Sequence, residues 1–364
     1  MSAGADDTPS ARYAAGIAAG AWQDDPAQRA LLPSLDRIAR QIAKPRARGL
    51  IDRLRGAPRH AARGLYVWGG VGRGKTFLID LLHDCVPEPL RQRLHFHRFM
   101  GRVHAELAAI RDEADPLARV AASFARTPLL CLDEFFVQDI GDAMILAQLL
   151  KHFGHAGGTL VTTSNIAPRE LYRDGLQRAK FVPAIQWLER HCEVALLDSP
   201  HDYRLRALTQ APVYQTPLGE AAEAELARIF ARVAPGSLRP EASTTVNGRP
   251  IALKRRADGV AWFEFAALCE GPRAVADYIE LAKSYNTVLV SNVPQFDAGN
   301  DDPARRFVHL VDEFYDRNVN LVLSAAVPVE ELYRGERLAR EFERTRSRLI
   351  EMRSTEYLAR EHRP

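Results

Sequence analysis

Eight residues constrain this chain more than any others. Gly69-Gly70-Val71-Gly72-Arg73-Gly74-Lys75-Thr76 matches the pattern GxxxxGK[ST]. The apolar run Leu65–Trp68 precedes it and a helical pattern, Phe77-Leu78-Ile79-Asp80-Leu81-Leu82, follows it. Glycines let backbone N–H groups close around phosphate oxygens without Cβ clashes. A helix that opens there adds its N-terminal dipole. In this pattern the lysine reaches the β- and γ-phosphates and the hydroxyl of Thr76 ligates Mg²⁺. The bland alternative is a glycine-rich strand–helix turn, and the flanking strand and helix favour the phosphate loop. Gly69, Gly70, Val71, Gly72, Arg73, Gly74, Lys75, Thr76 and Phe77 are therefore the expected nucleotide cradle, with ATP and Mg²⁺ as cofactors.

A second segment completes such a site. Leu129-Leu130-Cys131-Leu132 reads as a central strand, and Asp133-Glu134 emerge at its C-terminal edge, where open α/β sheets bind ligands. Asp133 is expected to hold the Mg²⁺ shell. Glu134 is expected to orient or deprotonate a water, which a hydrolase needs and a small-molecule kinase does not. The pair also reads as a helix N-cap. Thr162-Thr163-Ser164-Asn165 ends the next apolar run. Asn165 could bond the attacking water or a phosphate oxygen, or merely form an Asx turn before Pro168. His95-Phe96-His97 alternates, so both imidazoles would share one face of a strand, with His104 on the helix beyond. Without a local carboxylate or Cys a core or interface role is favoured over a three-His metal site.

From Gly64 to about residue 200, five short apolar runs alternate with amphipathic stretches. They are Leu65–Trp68, Leu94–Phe99, Leu129–Leu132, Thr159–Thr163 and Val194–Leu197. That alternation signals βαβ units and a parallel sheet covered on both faces. Three divisions are expected: a helical, polar and basic segment 1–63, an α/β core 64–210, and a C-terminal region 211–364 beyond Pro212 and Pro217. In the first, a helix is predicted from Pro26 to about Ile42. Seven basic residues between Lys44 and Arg63 face one acid, and read either as a solvated face and linker or as a docking strip for an anionic partner. In the last, Thr244–Phe265 is predicted to form a β-meander with turns at Asn247-Gly248 and Asp258-Gly259. Helix Arg273–Ser284, strand Thr287–Ser291, helix Asp302–Arg317, strand Asn320–Ser324 and a charged helix from about Val329 should follow. Shifted by 161 residues, TLVTTSNIAPRELY (159–172) aligns with NLVLSAAVPVEELY (320–333). Either two βαβ units look alike by chance, or this is a degenerate second copy without the polar residues of the first.

Composition excludes several classes. The chain has 364 residues, 46% hydrophobic and 26% charged, which rules out disordered, collagenous and disulfide-scaffold proteins. The net charge of +3 from 49 basic and 46 acidic residues does not by itself imply a nucleic-acid or membrane partner. The six lysines are scarce beside arginine, as codon bias would produce. Cys85, Cys131, Cys192 and Cys269 are too far apart for CxxC pairs, as expected for free thiols in a reducing compartment. No apolar run approaches the ~18 residues of a membrane span, and the N-terminal residues resemble neither a secretory signal nor a mitochondrial presequence. The expected location is a bacterial cytoplasm.

GLYVWGGVGRGKTFLIDLL, LHFHRFMGRVH, LLCLDEFFVQDIGDAMIL, TLVTTSNIAPRELYRDGLQRAKFVPAI and HDYR together resemble the ZapE family of AAA+ ATPases. HFHRFM and DEFFVQDIGDA are specific to it. The resemblance resumes at FAALCEGPRAVADYIELAK and ARRFVHLVDEFYD. It implies an α/β fold, a P-loop AAA+-like parallel sheet flanked by helices with a mixed α+β C-terminal region. It implies Walker A at Lys75 and Thr76, Walker B at Asp133 and Glu134, and sensor 1 at Asn165. Arg178 falls where the family places an arginine finger acting on a neighbouring subunit, against a plain surface arginine as the alternative. Arg305 or Arg306 could act as sensor 2, although strands surround that helix where the usual AAA+ lid is helical. The resemblance further implies a homo-oligomer, at least transient, that acts at the division ring and destabilises FtsZ polymers. Two rival readings are a nucleotide-gated adaptor with slow hydrolysis and a helicase-loader-like ATPase. No stacking aromatics interleave the basic strip, so nucleic acid is not the expected partner.

Overall fold

The computed structural model describes residues 7–43, 61–70, 72–199, 203–234, 243–257 and 259–363. The chain divides into two compact units, Met1–Pro200 and His201–Pro364.

In the first unit, helices α1 (Pro9–Ala18), α2 (Pro26–Arg29) and α3 (Leu32–Ala43) precede β1 (Gly64–Trp68) and α4 (Lys75–Cys85). Then come β2 (Arg91–His95), α5 (Phe96–Ala109), α6 (Pro116–Phe124), β3 (Leu129–Asp133), α7 (Ile140–His155), β4 (Thr159–Ser164), α8 (Arg178–His191) and β5 (Cys192–Leu196). The strands run parallel in the order β2-β3-β4-β1-β5. The central strands β3 and β4 are buried along their whole length, so the apolar runs Leu129–Leu132 and Leu160-Val161 follow from cover on both faces. One face packs Leu65, Val67, Cys131 and Val161 against α1, α3 and α4. The other packs Tyr66, Leu130, Leu132 and Leu160 against α5 to α8. This is the expected parallel α/β sheet flanked by helices.

Three expectations change here. The predicted helix from Pro26 to Ile42 is two helices, and Pro33 lies in the first turn of the second, where its missing N–H costs nothing. The N-terminal segment is helical but not a polar appendage. Tyr13, Leu32, Leu35, Ile38 and Ile42 are buried against the sheet, and Ser34 and Arg37 bond Glu193 at its β5 edge. Of the basic strip, Lys44 to Arg59 lies outside the described residues. Finally, β2 covers Arg91–His95 instead of Leu94–Phe99. Phe96, Phe99, Met100 and Val103 recur at helical spacing and are buried in α5. His95 thus ends a strand while His97 lies in the first turn of a helix, and the two imidazoles do not share a strand face. His104 bonds Asp142 at 2.6 Å.

In the second unit, α9 (Tyr203–Thr209), β6 (Tyr214–Gln215), α10 (Glu220–Val233), β7 (Ser243–Val246), β8 (Arg249–Ala252), β9 (Arg255–Ala257) and β10 (Val260–Glu264) come first. They are followed by α11 (Val275–Ser284), β11 (Thr287–Val293), α12 (Asp301–Asp316), β12 (Asn320–Ala325), α13 (Ala339–Glu351) and α14 (Thr355–Leu358). The sheet order is β6-β12-β11-β10-β9, and only the β9–β10 pair is antiparallel. The expected β-meander is therefore not one. The Asn247-Gly248 turn closes a separate β7–β8 hairpin. β10 instead joins the parallel sheet, because Ala261, Trp262 and Phe263 are buried and demand cover on both faces. Asp258, the first residue of the other predicted turn, lies outside the described residues.

Candidate nucleotide site

The phosphate loop leaves β1 and enters α4 through backbone that excludes side chains at two points. Gly69 has φ 150°, and a Cβ there would lie 2.4 Å from the Leu197 carbonyl oxygen. Gly74, the α4 N-cap, has φ 88°, and a Cβ would meet the Gln28 amide nitrogen at 2.3 Å. The loop is thus held from outside as well as within. Gln28 Nε2 donates to the Arg73 carbonyl at 3.2 Å, and the Arg73 guanidinium donates to the Ser199 carbonyl. Val71 lies outside the described residues. Phe77 sends its ring away from the loop to pack edge-on against Trp22, at 5.0 Å between centroids, and near Tyr13. Its side chain therefore ties the N-terminal helices to α4.

Lys75 is nearly buried. Its Nζ donates to the carbonyls of Gly69 and Gly70, both at 2.7 Å, and to Asn165 Oδ1 at 3.0 Å. Asn165 stands one residue beyond β4, so the loop lysine and the expected sensor belong to one polar cluster. Those three acceptors match the three donors of the ammonium, so phosphate oxygens would take the place of one or more of them.

Asp133 is also spoken for. Arg93 of β2 grips it with a two-pronged fork, Nε to Oδ2 at 2.5 Å and Nη2 to Oδ1 at 3.1 Å. The third guanidinium nitrogen reaches Asp80 of α4. Arg93 and Asp133 expose only 3% and 2% of their side chains, so this is a buried charge-assisted pair. The donors nonetheless fit a hard divalent cation, since Thr76 and Asp133 offer oxygen. A carboxylate has about four acceptor positions, of which Arg93 uses two. Held by Thr76 and Asp133, Mg²⁺ would supply positive charge to offset that of the phosphates. Among the described residues, no group of three His, Cys, Asp or Glu side chains is set to hold a metal ion without a nucleotide.

Glu134 follows Asp133 with φ 53°. A non-glycine residue in the left-handed region carries roughly 1–3 kcal/mol of strain. β4 braces it. The Glu134 N–H donates to Thr163 Oγ1 at 3.1 Å and the Phe135 N–H to the Thr163 carbonyl at 2.7 Å. Ser164 Oγ returns a bond to the Phe135 carbonyl at 2.8 Å. Glu134 thus stands at the C-terminal end of β3, beside the end of β4 that Asn165 follows.

Two expected residues stand apart. Arg178 opens α8, its Nη2 donating to the Arg169 carbonyl at 2.5 Å while its buried Nε has no acceptor. Arg305 is exposed on α12 of the second unit, whereas Arg306 donates to the Cys269 carbonyl at 3.0 Å. Sequence reasoning missed Arg93, Asp80, Gln28 and the bracing role of Thr163. Arg93 left one usable signal, because an arginine inside a parallel strand must find a buried anion.

The family model described as AFG1-like ATPase matches residues 7–361. The cell division protein ZapE of Escherichia coli K12 is 45% identical over 98% of both chains. The zebrafish lactation elevated protein 1 homolog B is 37% identical over 82% of this chain and 62% of its own. Among solved structures, domain III of the Thermotoga maritima replication initiation protein DnaA aligns with a TM-score of 0.36 at 14% identity, over 66% of this chain and 80% of that one.

Proposed function

The chain belongs to the AFG1-like ATPase family, and on that premise we propose that its Mg·ATP hydrolysis remodels a protein partner at the bacterial division ring, with FtsZ polymers as the substrate. The observation that carries the hydrolytic part is the cluster at the sheet edge. Lys75 Nζ meets Asn165 Oδ1 at 3.0 Å, and the same strand end holds Glu134 in its left-handed turn. Lys75 offsets charge on the transferred phosphoryl group, Asn165 orients the attacking water, and Glu134 receives its proton. Thr76 and Asp133 are the residues that would hold Mg²⁺.

The division role is supported by the near full-length likeness to ZapE of E. coli. Among the described residues no helix is long and apolar enough to cross a membrane, which suits a protein recruited to the ring from the cytoplasm. Arg178 bonds a neighbouring carbonyl of its own chain and is free in this reading to serve the nucleotide of a second subunit in a homo-oligomer. Arg305, exposed, is the candidate sensor of the second unit.

The test is Mg·ATP hydrolysis per subunit against protein concentration, with and without FtsZ polymers followed by light scattering. Specific activity should rise with concentration and collapse in Arg178→Ala. Glu134→Gln should keep ATP but lose turnover and polymer disassembly. Flat activity, indifferent to Arg178, would remove the trans-acting arginine. Partner binding by Glu134→Gln with no disassembly by the unmodified chain would leave a nucleotide-gated adaptor instead.

A further inference from the structure

The 161-residue echo between 159–172 and 320–333 extends well beyond those segments. Helices α8 and α13 begin at Arg178 and Ala339, the same distance apart. Within them Phe181 packs on Tyr172 at 5.6 Å, and Phe342 on Tyr333 at 4.4 Å, again at that offset. The four parallel strands β2-β3-β4-β1 have the same order as β10-β11-β12-β6. The P-loop helix buries Leu78, Leu81 and Leu82; α10 buries Leu226, Ile229 and Phe230, each 148 residues on.

Parallel topology alone does not require the finer matches. Asn292, in the irregularity near the end of β11, shares with Glu134, just beyond β3, a left-handed φ, 65° against 53°. Its N–H donates to Ser324 Oγ at 2.9 Å, as that of Glu134 does to Thr163 Oγ1. Thr163 and Ser324 are 161 apart. Tyr66 OH donates to the Ile166 carbonyl at 3.0 Å, and Tyr214 OH to the Val327 carbonyl at 2.8 Å. Left-handed non-glycine residues amount to a few per cent, so their recurrence with the same hydroxyl partner on the neighbouring strand marks common descent of the two units.

We propose that the second unit is a degenerate copy of the nucleotide-binding unit, in which the phosphate site has been inverted in charge and closed by the chain's own Lys254. At the offset of 148, Glu223 stands where Lys75 stands, and the loop Gly69–Gly74 becomes Pro217-Leu218-Gly219-Glu220-Ala221-Ala222. Strand register puts Ser291 at the position of Asp133 and Asn292 at that of Glu134. Asn165 becomes Ala326. The replacements bond to one another. Lys254 Nζ pairs with Glu223 and with Glu264, the latter at 2.5 Å. Ser291 Oγ donates to Glu223 Oε2 at 2.9 Å, and Asn292 Nδ2 to Glu264 Oε2 at 2.8 Å. Trp262 Nε1 donates to Ser291 Oγ at 2.8 Å, matching Arg93 on Asp133 from the same place in the edge-side strand. Two carboxylates now occupy the edge where a triphosphate would bring its own negative charge, and their cation is supplied from within. The unit keeps its strand-end polar groups satisfied with no nucleotide, and the chain takes one nucleotide instead of two.

This inference rests on the nucleotide reading of the first unit only for the identity of what was lost. The test is equilibrium dialysis of the full chain against a non-hydrolysable ATP analogue with Mg²⁺, together with hydrogen exchange of the β11 amides. One equivalent should bind, falling below about a tenth in Lys75→Ala. Lys254→Met should still bind one equivalent, with affinity within about threefold, while β11 amides exchange about threefold to tenfold faster once the two carboxylates lose their cation. Glu223→Gln, which keeps a hydrogen-bonding partner for Ser291, should do the same more mildly. Two equivalents in the unmodified chain, or one surviving in Lys75→Ala, would overturn the proposal. So would unchanged exchange in both Lys254→Met and Glu223→Gln. A chain that binds no nucleotide at all would sink the reading of the first unit, and the exchange data would then decide this one.

Discussion

Thr163 and Ser324 offer one perturbation in two settings. Each hydroxyl is buried, with 2% and 1% of its residue exposed, and each accepts the N–H of a residue in the left-handed region. Thr163→Val keeps the shape and removes the acceptor. A buried N–H left without a partner costs about 1–3 kcal/mol, the same size as the strain of roughly 1–3 kcal/mol that the bond holds in place at Glu134. Without the bond, Glu134 has reason to leave its turn. A loss of about 1.4 kcal/mol confined to the transition state is tenfold in rate. The expected result for Thr163→Val is a kcat about tenfold lower at nearly unchanged KM, with amides around Glu134 exchanging at least tenfold faster. Ser324→Ala should accelerate exchange around Asn292 to a similar degree and leave kcat within about twofold, because that turn carries an asparagine and not the carboxylate proposed to act on water. Steady-state ATP turnover and hydrogen exchange on the same preparations read both. If Ser324→Ala lowers kcat as much as Thr163→Val, the effect is general loosening. If Thr163→Val speeds exchange but leaves kcat intact, Glu134 does not need its turn to act.

Replacing Arg93 by Met should lower stability by about 3–5 kcal/mol, read by urea unfolding, because the buried Asp133 carboxylate loses its cation; a near-neutral effect would show that the clamp contributes nothing. All four cysteines are buried, and burial pushes the thiols of Cys131 and Cys192 up to about 12 and that of Cys85 to about 11. Iodoacetamide at pH 8 should therefore leave the native mass unchanged and add four adducts in urea, and a rapid native adduct would contradict this burial. Burial works to raise the Asp277 pKa, but bonds from the Ala274 N–H, Asn247 and Arg249 outweigh it and hold the carboxyl below its ordinary range. A depressed carboxyl stabilises above its unfolded pKa, and that contribution is lost as pH falls through the folded value. Arg249→Met should therefore reduce stability at neutral pH and flatten its decline on acidification, measured by urea midpoints from pH 7 to pH 3. An unchanged pH profile would refute the assignment.

The parts of the fold legible in the sequence are those where local pattern and tertiary role agree. β1, β3 and β4 are buried on both faces, so their apolar runs needed no partner to be recognised, and the glycines of the phosphate loop announce the backbone they permit. β2 was misplaced because Arg91, Gln92 and Arg93 do not look like a strand until Asp133 and Asp80 stand beside them. β10 read as part of a meander because its turn was local and its parallel partner β11 lies more than twenty residues on. The second copy was legible for only fourteen residues, and for a physical reason. What kept its fold is a set of interchangeable groups: a threonine or serine hydroxyl under a left-handed turn, a tyrosine on a carbonyl, leucine for isoleucine on a helix face. What made the first copy a nucleotide site cannot be exchanged so freely, and there the two differ most, with Glu223 for Lys75 and Ser291 for Asp133. The offset between copies also drifts, from 148 at β1 to 169 at β2, where the β7–β9 segment is inserted, then to 158 at β3 and 161 at β4. An ungapped comparison therefore holds within β1 and α4 at one offset and across β4 and α8 at another, and only the second pair of segments kept enough identical residues to be seen in the sequence. A chain can thus retain a nucleotide fold in its backbone hydrogen bonds after its side chains have ceased to describe a nucleotide site.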